Sequence, residues 1–371
     1  MERYIAVDNV CSWPHLTLMD DGSLNLEINN ASNHRAIAGG AECWKSTDGG
    51  RFFKKFGSAC QGTVEDGTSF ADKACGVAHN GDYIIIVMDA NEYLKSEKVY
   101  PYIFRSKDGG KTYEQTGRFV SDLGRPVPCD QIRRLSDNTL AVVYWMPIDH
   151  NRYPEKKAQT EARVRFSYDD GYTWNEKDDY LIGGGITETS VLFYDDNEAF
   201  AVGRTDDGVV YTYDGSSSER YFGFGCYVYR SKDGGKTWKF EKTIFGQEMW
   251  PANLLQLSDG SVLMTASIRF PNYQAIIGCI SKDRGKTWFA PNVLVEYPGV
   301  DGGCPISAQI EDGTIVTAYY SIGNQYHTRY HTGIIRWKLD ELVENRWVSG
   351  RGPVQFYYGT DKEHVLTWRI N

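Results

Sequence analysis

The sequence predicts an all-β protein, a six-bladed β-propeller, because two turn signals alternate along it at one period. The first signal is Ser231-Lys-Asp-Gly-Gly-Lys-Thr-Trp238, with variants beginning at Ser46, Ser106, Ser167 and Ser281. All five share Ser, x, Asp, x, Gly and an aromatic residue three positions on, at intervals of roughly 50 to 64 residues. Ser and Asp side chains bond nearby backbone amides in a tight turn, and the glycines accept positive φ. The closing Trp, Tyr or Phe begins the next strand and packs between neighbouring sheets. The second signal is a set of apolar runs broken at Asp21-Gly22, Asn80-Gly81, Asp137-Asn138, Asp196-Asn197, Asp259-Gly260 and Asp312-Gly313. Each reads as strand, two-residue hairpin, strand. Six hairpins alternating with five Ser-x-Asp turns define four strands per unit, and six such sheets set radially make the propeller.

The units follow in chain order, and only the sixth departs from the pattern. It lacks the Ser-x-Asp turn and continues as Thr332-Gly-Ile-Ile-Arg-Trp-Lys-Leu-Asp-Glu-Leu342. Strand-like text at Tyr4-Ile-Ala-Val7 and at His364-Val-Leu-Thr-Trp-Arg369 offers both ends for closing that blade. A seventh blade follows instead if the ends build one of their own. A closed array makes residues 1–371 one domain.

Composition narrows the function classes. Gly numbers 38 and aromatics reach 14%, which suits short strands and tight turns. No apolar run of 18 residues occurs, and the first residues lack the pattern of a secretory signal. A net charge of −9 argues against nucleic acid or an anionic membrane as partner. Eight cysteines stand without CxxC or metal-type spacing, so buried free thiols in a reducing compartment are expected. The expected location is cytoplasmic, or secreted with the signal already removed. No metal and no cofactor are expected, and His150, His327 and His331 read as solvated loop residues.

In a propeller, the start of each innermost strand points into a central funnel. Counting eight residues back from each hairpin turn gives Trp13, Asp72, Cys129, Glu188, Pro251 and Cys304, flanked by Ser12, Lys73, Asp130, Trp250 and Gly303. Glu188 precedes one strand and Arg204 follows its hairpin partner, so antiparallel pairing returns the guanidinium to the height of the carboxylate. A bidentate Arg suits a carboxylate by geometry and charge. The plain alternative is a salt bridge at a strand end. Asp72 and Asp130 offer carboxylates for hydroxyl binding, although Asp130 also suits a structural ion pair with Arg133 or Arg134. Gln247-Glu-Met-Trp-Pro251 brings Glu248 beside Trp250, a carboxylate next to an aromatic face of the kind that stacks on sugars. Glu188 and Glu248 would suit a two-carboxylate glycosidase at the right separation.

The repeated Ser-x-Asp-x-Gly-x-Thr-Trp turns, alternating with Asp-Gly hairpins, resemble the Asp-box (BNR) repeats of the sialidase superfamily over nearly the whole chain. That resemblance implies a carbohydrate-active enzyme with Glu188 activating a nucleophile and Arg204 holding a substrate carboxylate. Two parts of the family pattern are missing. Ser12-Trp13-Pro14 stands where the family has Arg-Ile-Pro, and Cys304-Pro305 where it has its tyrosine; Tyr297 and Tyr319 are out of register. Arg269 falls in the region of the third arginine. The loop that carries the family's acid aspartate reads Asn29-Asn-Ala-Ser-Asn-His-Arg-Ala-Ile-Ala-Gly-Gly40, with His34 and Arg35 and no aspartate. Cys11-Ser-Trp-Pro14, this loop and Glu42-Cys-Trp44 also resemble a branch of sialidase-fold enzymes that release L-rhamnose from glucuronate, where a histidine of the loop is catalytic. A solvated surface His is the alternative at position 34.

The expected function is therefore an exo-glycosidase acting on an oligosaccharide or glycoconjugate whose sugar bears or adjoins a carboxylate, and not an ordinary sialidase. The alternatives are a lyase on a uronate-linked sugar and a propeller that only binds glycans. Candidate catalytic residues are Glu188, His34 and Glu248. Candidate substrate-binding residues are Arg204, Arg35, Arg269, Asp72, Asp130, Trp13 and Trp250.

Overall fold

The computed structural model describes all residues except 34–37, 91–99, 137, 206–208, 212–217, 221–224, 245–250, 271–272, 290–291, 299–300, 324–327, 343–353, 356–368 and 371. Strand β1 (Glu2–Asp8) comes first in the chain and is taken up last. The first quartet is β2 (His15–Leu18), β3 (Leu24–Asn30), β4 (Gly40–Ser46) and β5 (Lys54–Cys60). The second is β6 (Phe70–Val77), β7 (Tyr83–Asp89), β8 (Tyr102–Ser106) and β9 (Glu114–Arg118). The third is β10 (Val127–Arg134), β11 (Leu140–Pro147), β12 (Thr160–Ser167) and β13 (Asp179–Gly184), and a single parallel pair, Gln131 with Cys75, joins it to the second as one eight-stranded sheet.

The fourth quartet contains β14 (Ile186–Phe193) and β15 (Ala199–Thr205), then a ribbon of β16 (Val209–Tyr211) and β17 (Ser218–Arg220), then β18 (Cys226–Ser231) and β19 (Lys239–Ile244). The fifth is β20 (Ala252–Gln256), β21 (Val262–Phe270), β22 (Tyr273–Ser281) and β23 (Asn292–Tyr297). The last holds β24 (Gly302–Gln309), β25 (Ile315–Ile322) and β26 (Tyr330–Trp337), completed by β1 on the outer edge of β26. Of the two chain ends expected to share this closure, the first supplies the strand; the short β27 (Val354–Gln355) and β28 (Arg369–Ile370) pair with each other.

Each inner strand, β2, β6, β10, β14, β20 and β24, touches the next, and β24 touches β2. The core follows the same cycle, since apolar clusters sit between adjacent quartets. Phe200, Trp288 and Leu254 join the fourth and fifth, and Leu24, Phe53 and Val316 join the first and last. Both faces of a sheet are therefore covered, and alternation along a strand distinguishes two buried faces from each other.

The five Ser-x-Asp turns share one bonding pattern between the third and fourth strands of their quartets. In the fourth, Ser231 Oγ donates to Asp233 at 2.8 Å, the Gly235 amide donates to Ser231 Oγ at 2.9 Å, and Thr237 donates to Asp233 from both its amide and its hydroxyl. Gly235, at φ +90°, could not carry a side chain without strain, because a Cβ would lie 2.8 Å from Phe193. Trp238 then turns inward and donates its indole N–H to the Gly235 carbonyl at 2.8 Å. All eight cysteines are free, five of them buried. One expectation needs correction: His331 lies in β26 and is buried, because the strand runs further than its loop-like sequence suggests. His150 is in a turn with its Nε2 buried, and His327 is outside the described residues.

Candidate active site

The first strands begin around one pocket, and the chain bends there to aim side chains inward. Pairing slips between Phe70 and Lys73, Cys129 and Arg133, Thr187 and Thr189, and Gly303 and Ile306. Such bulges redirect single residues. Trp13, Asp130 and Cys304 also take positive φ values of 33°, 63° and 46°, a strained choice for residues with a Cβ. As a result Trp13, Cys129, Glu188, Pro251 and Cys304 line the pocket, and Lys73 lines it beside the expected Asp72. His15 lines it as well.

Glu188 and Arg204 meet. Thr187 is the residue paired with Arg204 across β14 and β15, and the bulge that follows tips Glu188 toward the guanidinium. Arg204 Nη1 donates to Glu188 Oε2 at 2.6 Å, with the two side chains 24% and 26% exposed. Arg269, near the end of β21, is half-buried. Its Nη2 donates to Cys304 Sγ at 3.8 Å and to the Tyr320 hydroxyl at 3.4 Å, while its Nε has no partner. Burial opposes its charge, yet Tyr320, Cys304 and Glu188 hold its pKa above the ordinary guanidinium value.

Tyr320 and Tyr330 were not foreseen from the sequence. Their hydroxyls donate to the two oxygens of Asp301 at 3.1 and 2.7 Å, and Tyr320 lies 6.0 Å from the Trp13 ring. Burial, then Cys304, raises the Tyr320 pKa far above the phenol range, so it stays protonated. Tyr297 and Tyr319 stack on each other at 6.0 Å within an apolar cluster. Gly303, at φ +121°, lets the backbone approach so closely that a Cβ would lie 2.2 Å from Ser267 Oγ.

On the first-quartet side of the pocket, Lys73 is buried, with Nζ donating to the Trp13 and Ser12 carbonyls at 3.0 and 3.4 Å. Burial, then the Lys73 charge, lowers the His15 pKa well below its usual value, so the imidazole is neutral; its Nδ1 is buried without a partner. His15 pairs directly with Glu27 across β2 and β3. Glu27 is fully buried, and burial, against the pull of Lys73 and of the neighbouring Cys43 and Tyr113, raises its pKa to about 8 and favours its neutral form.

The remaining expected residues are placed as follows. The Asp130 carboxylate lines the pocket but is engaged, accepting from Arg133 Nη2, Asn253 Nδ2 and the Val191 amide, each at 3.1 Å. It ties the third quartet to the fourth and fifth. Arg134 instead pairs with Asp20 at 2.8 Å in a separate cleft. His34, Arg35, Glu248 and Trp250 lie outside the described residues, as does the Asp72 side chain. Among the described residues no group of three or more His, Cys, Asp or Glu could hold a metal ion, and no helix is long and apolar enough to cross a membrane.

Residues 229–240 match the BNR/Asp-box repeat family. No curated protein matches the chain. Several solved structures share its fold at low identity. A protein of unknown function from Dyadobacter fermentans is 18% identical with a TM-score of 0.69, over 91% of this chain and 98% of that one. The Hadza microbial sialidase Hz136 is 16% identical with a TM-score of 0.69, over 90% of this chain and 67% of that one. An α-L-arabinanase from Penicillium chrysogenum, complexed with arabinobiose, is 12% identical with a TM-score of 0.61, over 92% and 99%. The repeat match covers twelve residues, and the structural matches show that the chain shares its all-β fold with these proteins.

Proposed function

We propose that residues 1–371 form a single six-bladed propeller that acts as an exo-glycosidase on a sugar bearing or adjoining a carboxylate. The cycle of inner-strand contacts and inter-quartet clusters supports the six blades. The observation that carries the function is the Glu188–Arg204 pair at a pocket lined also by Lys73, with Arg269 behind its Cys304 wall. Cationic groups gathered at a concave site suit an anionic sugar, and Arg204 has the geometry to clamp its carboxylate. Glu188, ionised against Arg204, serves as a base that activates a nucleophile or water. Trp13 offers a ring for a sugar face. His34, Arg35, Glu248 and Trp250 are further candidates on chemistry alone. Ordinary sialidase activity is expected to be weak or absent, because Ser12 and Cys304 replace the arginine and tyrosine that activity uses.

A second reading, a lyase on a uronate-linked sugar, is favoured by His15 beside Lys73. Lys73 would neutralise the uronate carboxylate, and the neutral His15, whose pKa rises once that carboxylate offsets Lys73, would take the α-proton. A screen of aryl glycosides, aryl sialosides and uronate-capped oligosaccharides tests both. Released aryl alcohol with saturated sugar supports the glycosidase, and an unsaturated product absorbing in the near ultraviolet supports the lyase. Binding without turnover across the screen overturns both in favour of a glycan-binding propeller.

A further inference from the structure

Arg269 raises a question of charge balance. Among the described residues it makes no ion pair with any Asp or Glu, although it is half-buried and its Nε is shut off from solvent. A charge partly withdrawn from solvent without a counter-ion is disfavoured. Glu188 acts on it at longer range but is bonded to Arg204, and Asp301 is reached only through the Tyr320 hydroxyl. The remaining group in contact that can carry a negative charge is the Cys304 thiol, whose Sγ is 3.8 Å from Arg269 Nη2. Cys304 is half-buried, lines the pocket and is held in the left-handed region at φ +46°, where a residue with a Cβ is strained.

We infer that Cys304 is a thiolate paired with Arg269 and is the nucleophile of the funnel. A guanidinium in contact with sulfur favours the thiolate, the form that attacks carbon. This inference rests on the glycosidase reading for its substrate. With an aryl glycoside, Sγ attacks the anomeric carbon and the bond to the aryl oxygen breaks, releasing aryloxide. Water then attacks the same carbon and gives its proton to the Glu188 carboxylate. The carbon–sulfur bond breaks with its electrons on sulfur, and Glu188 passes the proton to solvent, restoring both anions.

The charge assignment is tested without a substrate. The intact protein is treated with iodoacetamide from pH 5.5 to 9, and each cysteine is followed by mass spectrometry. Cys304 is expected to react at nearly the same rate throughout, whereas an ordinary thiol of pKa about 8.5 slows about tenfold for each unit below it. In Arg269→Met, reactivity at pH 6 should fall tenfold or more. If that variant fails to fold, the thiolate absorbance near 240 nm, taken as wild type minus Cys304→Ser across the same pH range, gives the answer with Arg269 intact. Ordinary pH dependence at Cys304, or no reaction in the folded protein, overturns the inference.

The nucleophilic role is tested with aryl glucuronides of both anomers and with 2-deoxy-2-fluoroglucuronosyl fluoride. Cys304→Ser is expected to lose turnover at least a thousandfold with an unchanged melting temperature, and the fluoride to leave a sugar adduct on Cys304. If wild type and Cys304→Ser cleave the glucuronides equally, the covalent role falls and the glycosidase reading stands. If Cys304 is a thiolate and no uronide is cleaved, the charge assignment stands and the glycosidase reading falls.

Discussion

The Ser-x-Asp turns and the pocket lie at opposite ends of the same quartets, and they solve opposite problems. At the turns, one set of hydrogen bonds is repeated around the rim, and every aspartate oxygen in the Asp108, Asp169, Asp233 and Asp283 turns has a donor. At the pocket, each quartet contributes something different, and Arg269 Nε and His15 Nδ1 are buried without a partner. The turns recur because they serve the scaffold, which is the same in each unit. The pocket does not recur, because all six inner strands line it together and each brings a different side chain.

The sharpest way to break this comparison is at Glu188 and Arg204. If they serve a ligand, Arg204→Ala should weaken binding of an acidic sugar at least about a hundredfold while leaving the melting temperature nearly unchanged, with Glu188→Gln behaving alike. If the pair is only a strut, Arg204→Ala should cost up to about 3 kcal/mol of stability and leave affinity alone. Calorimetric titration and thermal unfolding of both variants decide between them.

Glu27, paired with His15 across β2 and β3, tests the pocket end through pH. Its folded pKa of about 8 lies above the ordinary 4.5, so the folded state keeps a proton that the unfolded chain releases. Its contribution is full below about pH 4.5 and declines as pH rises toward about 8. Denaturant unfolding of Glu27→Gln should show a flatter profile over that window. A slope equal to wild type would mean the carboxyl finds a partner and the contrast with the rim is smaller.

Removing one rim carboxylate should do less and do it differently. Asp233→Ala loses four hydrogen bonds, from Ser231, Lys236 and twice from Thr237. The expected cost is about 1 to 3 kcal/mol in urea unfolding, with ligand affinity unchanged. A loss of affinity would tie rim and pocket together. The smallest effect is acid sensitivity of the turns. Burial pushes the Asp108 carboxyl up, but hydrogen bonds from Thr112, Ser106 and the Lys111 amide outweigh it and lower the pKa to about 2. Its contribution is full above the ordinary 3.8 and is lost as pH falls toward 2. Asp108→Asn should narrow the difference in melting temperature between pH 5 and pH 2.5 by no more than a few degrees.

The sequence shows these two ends unequally. Hairpin pairs such as Asp259-Gly260 and the boxes at Asp48 and Asp233 act through bonds within a few residues, so their spacing alone reveals them. The pocket position of Glu188 follows from the same count, because an inner strand has a fixed length from turn to funnel. Glu27 was hidden by its pattern. In Leu24-Asn-Leu-Glu-Ile-Asn-Asn30 the polar residues alternate as they do on a solvated strand, yet both faces are buried once the neighbouring quartet packs against them. The Arg269–Cys304 contact joins β21 to β24 across two quartets, and its meaning lies in the absence of a carboxylate partner, which no local spacing records. Tyr320 was masked by its neighbour, since the choice between adjacent tyrosines depends on which face of β25 looks toward Trp13.

The pairing of β1 with β26 has a consequence for how the chain is made. The segment Glu2–Asp8 leaves the ribosome some three hundred residues ahead of its partner Tyr330–Trp337. Until the two meet, β26 offers an open row of amides and carbonyls to any other nascent chain. Pairing of β1 with β26 is thus a long-range contact of the kind that forms slowly and leaves the chain open to tangling. A permuted gene that places Glu2–Asp8 directly after β26 through a short hairpin would turn that step into a local one, and should refold faster and aggregate less.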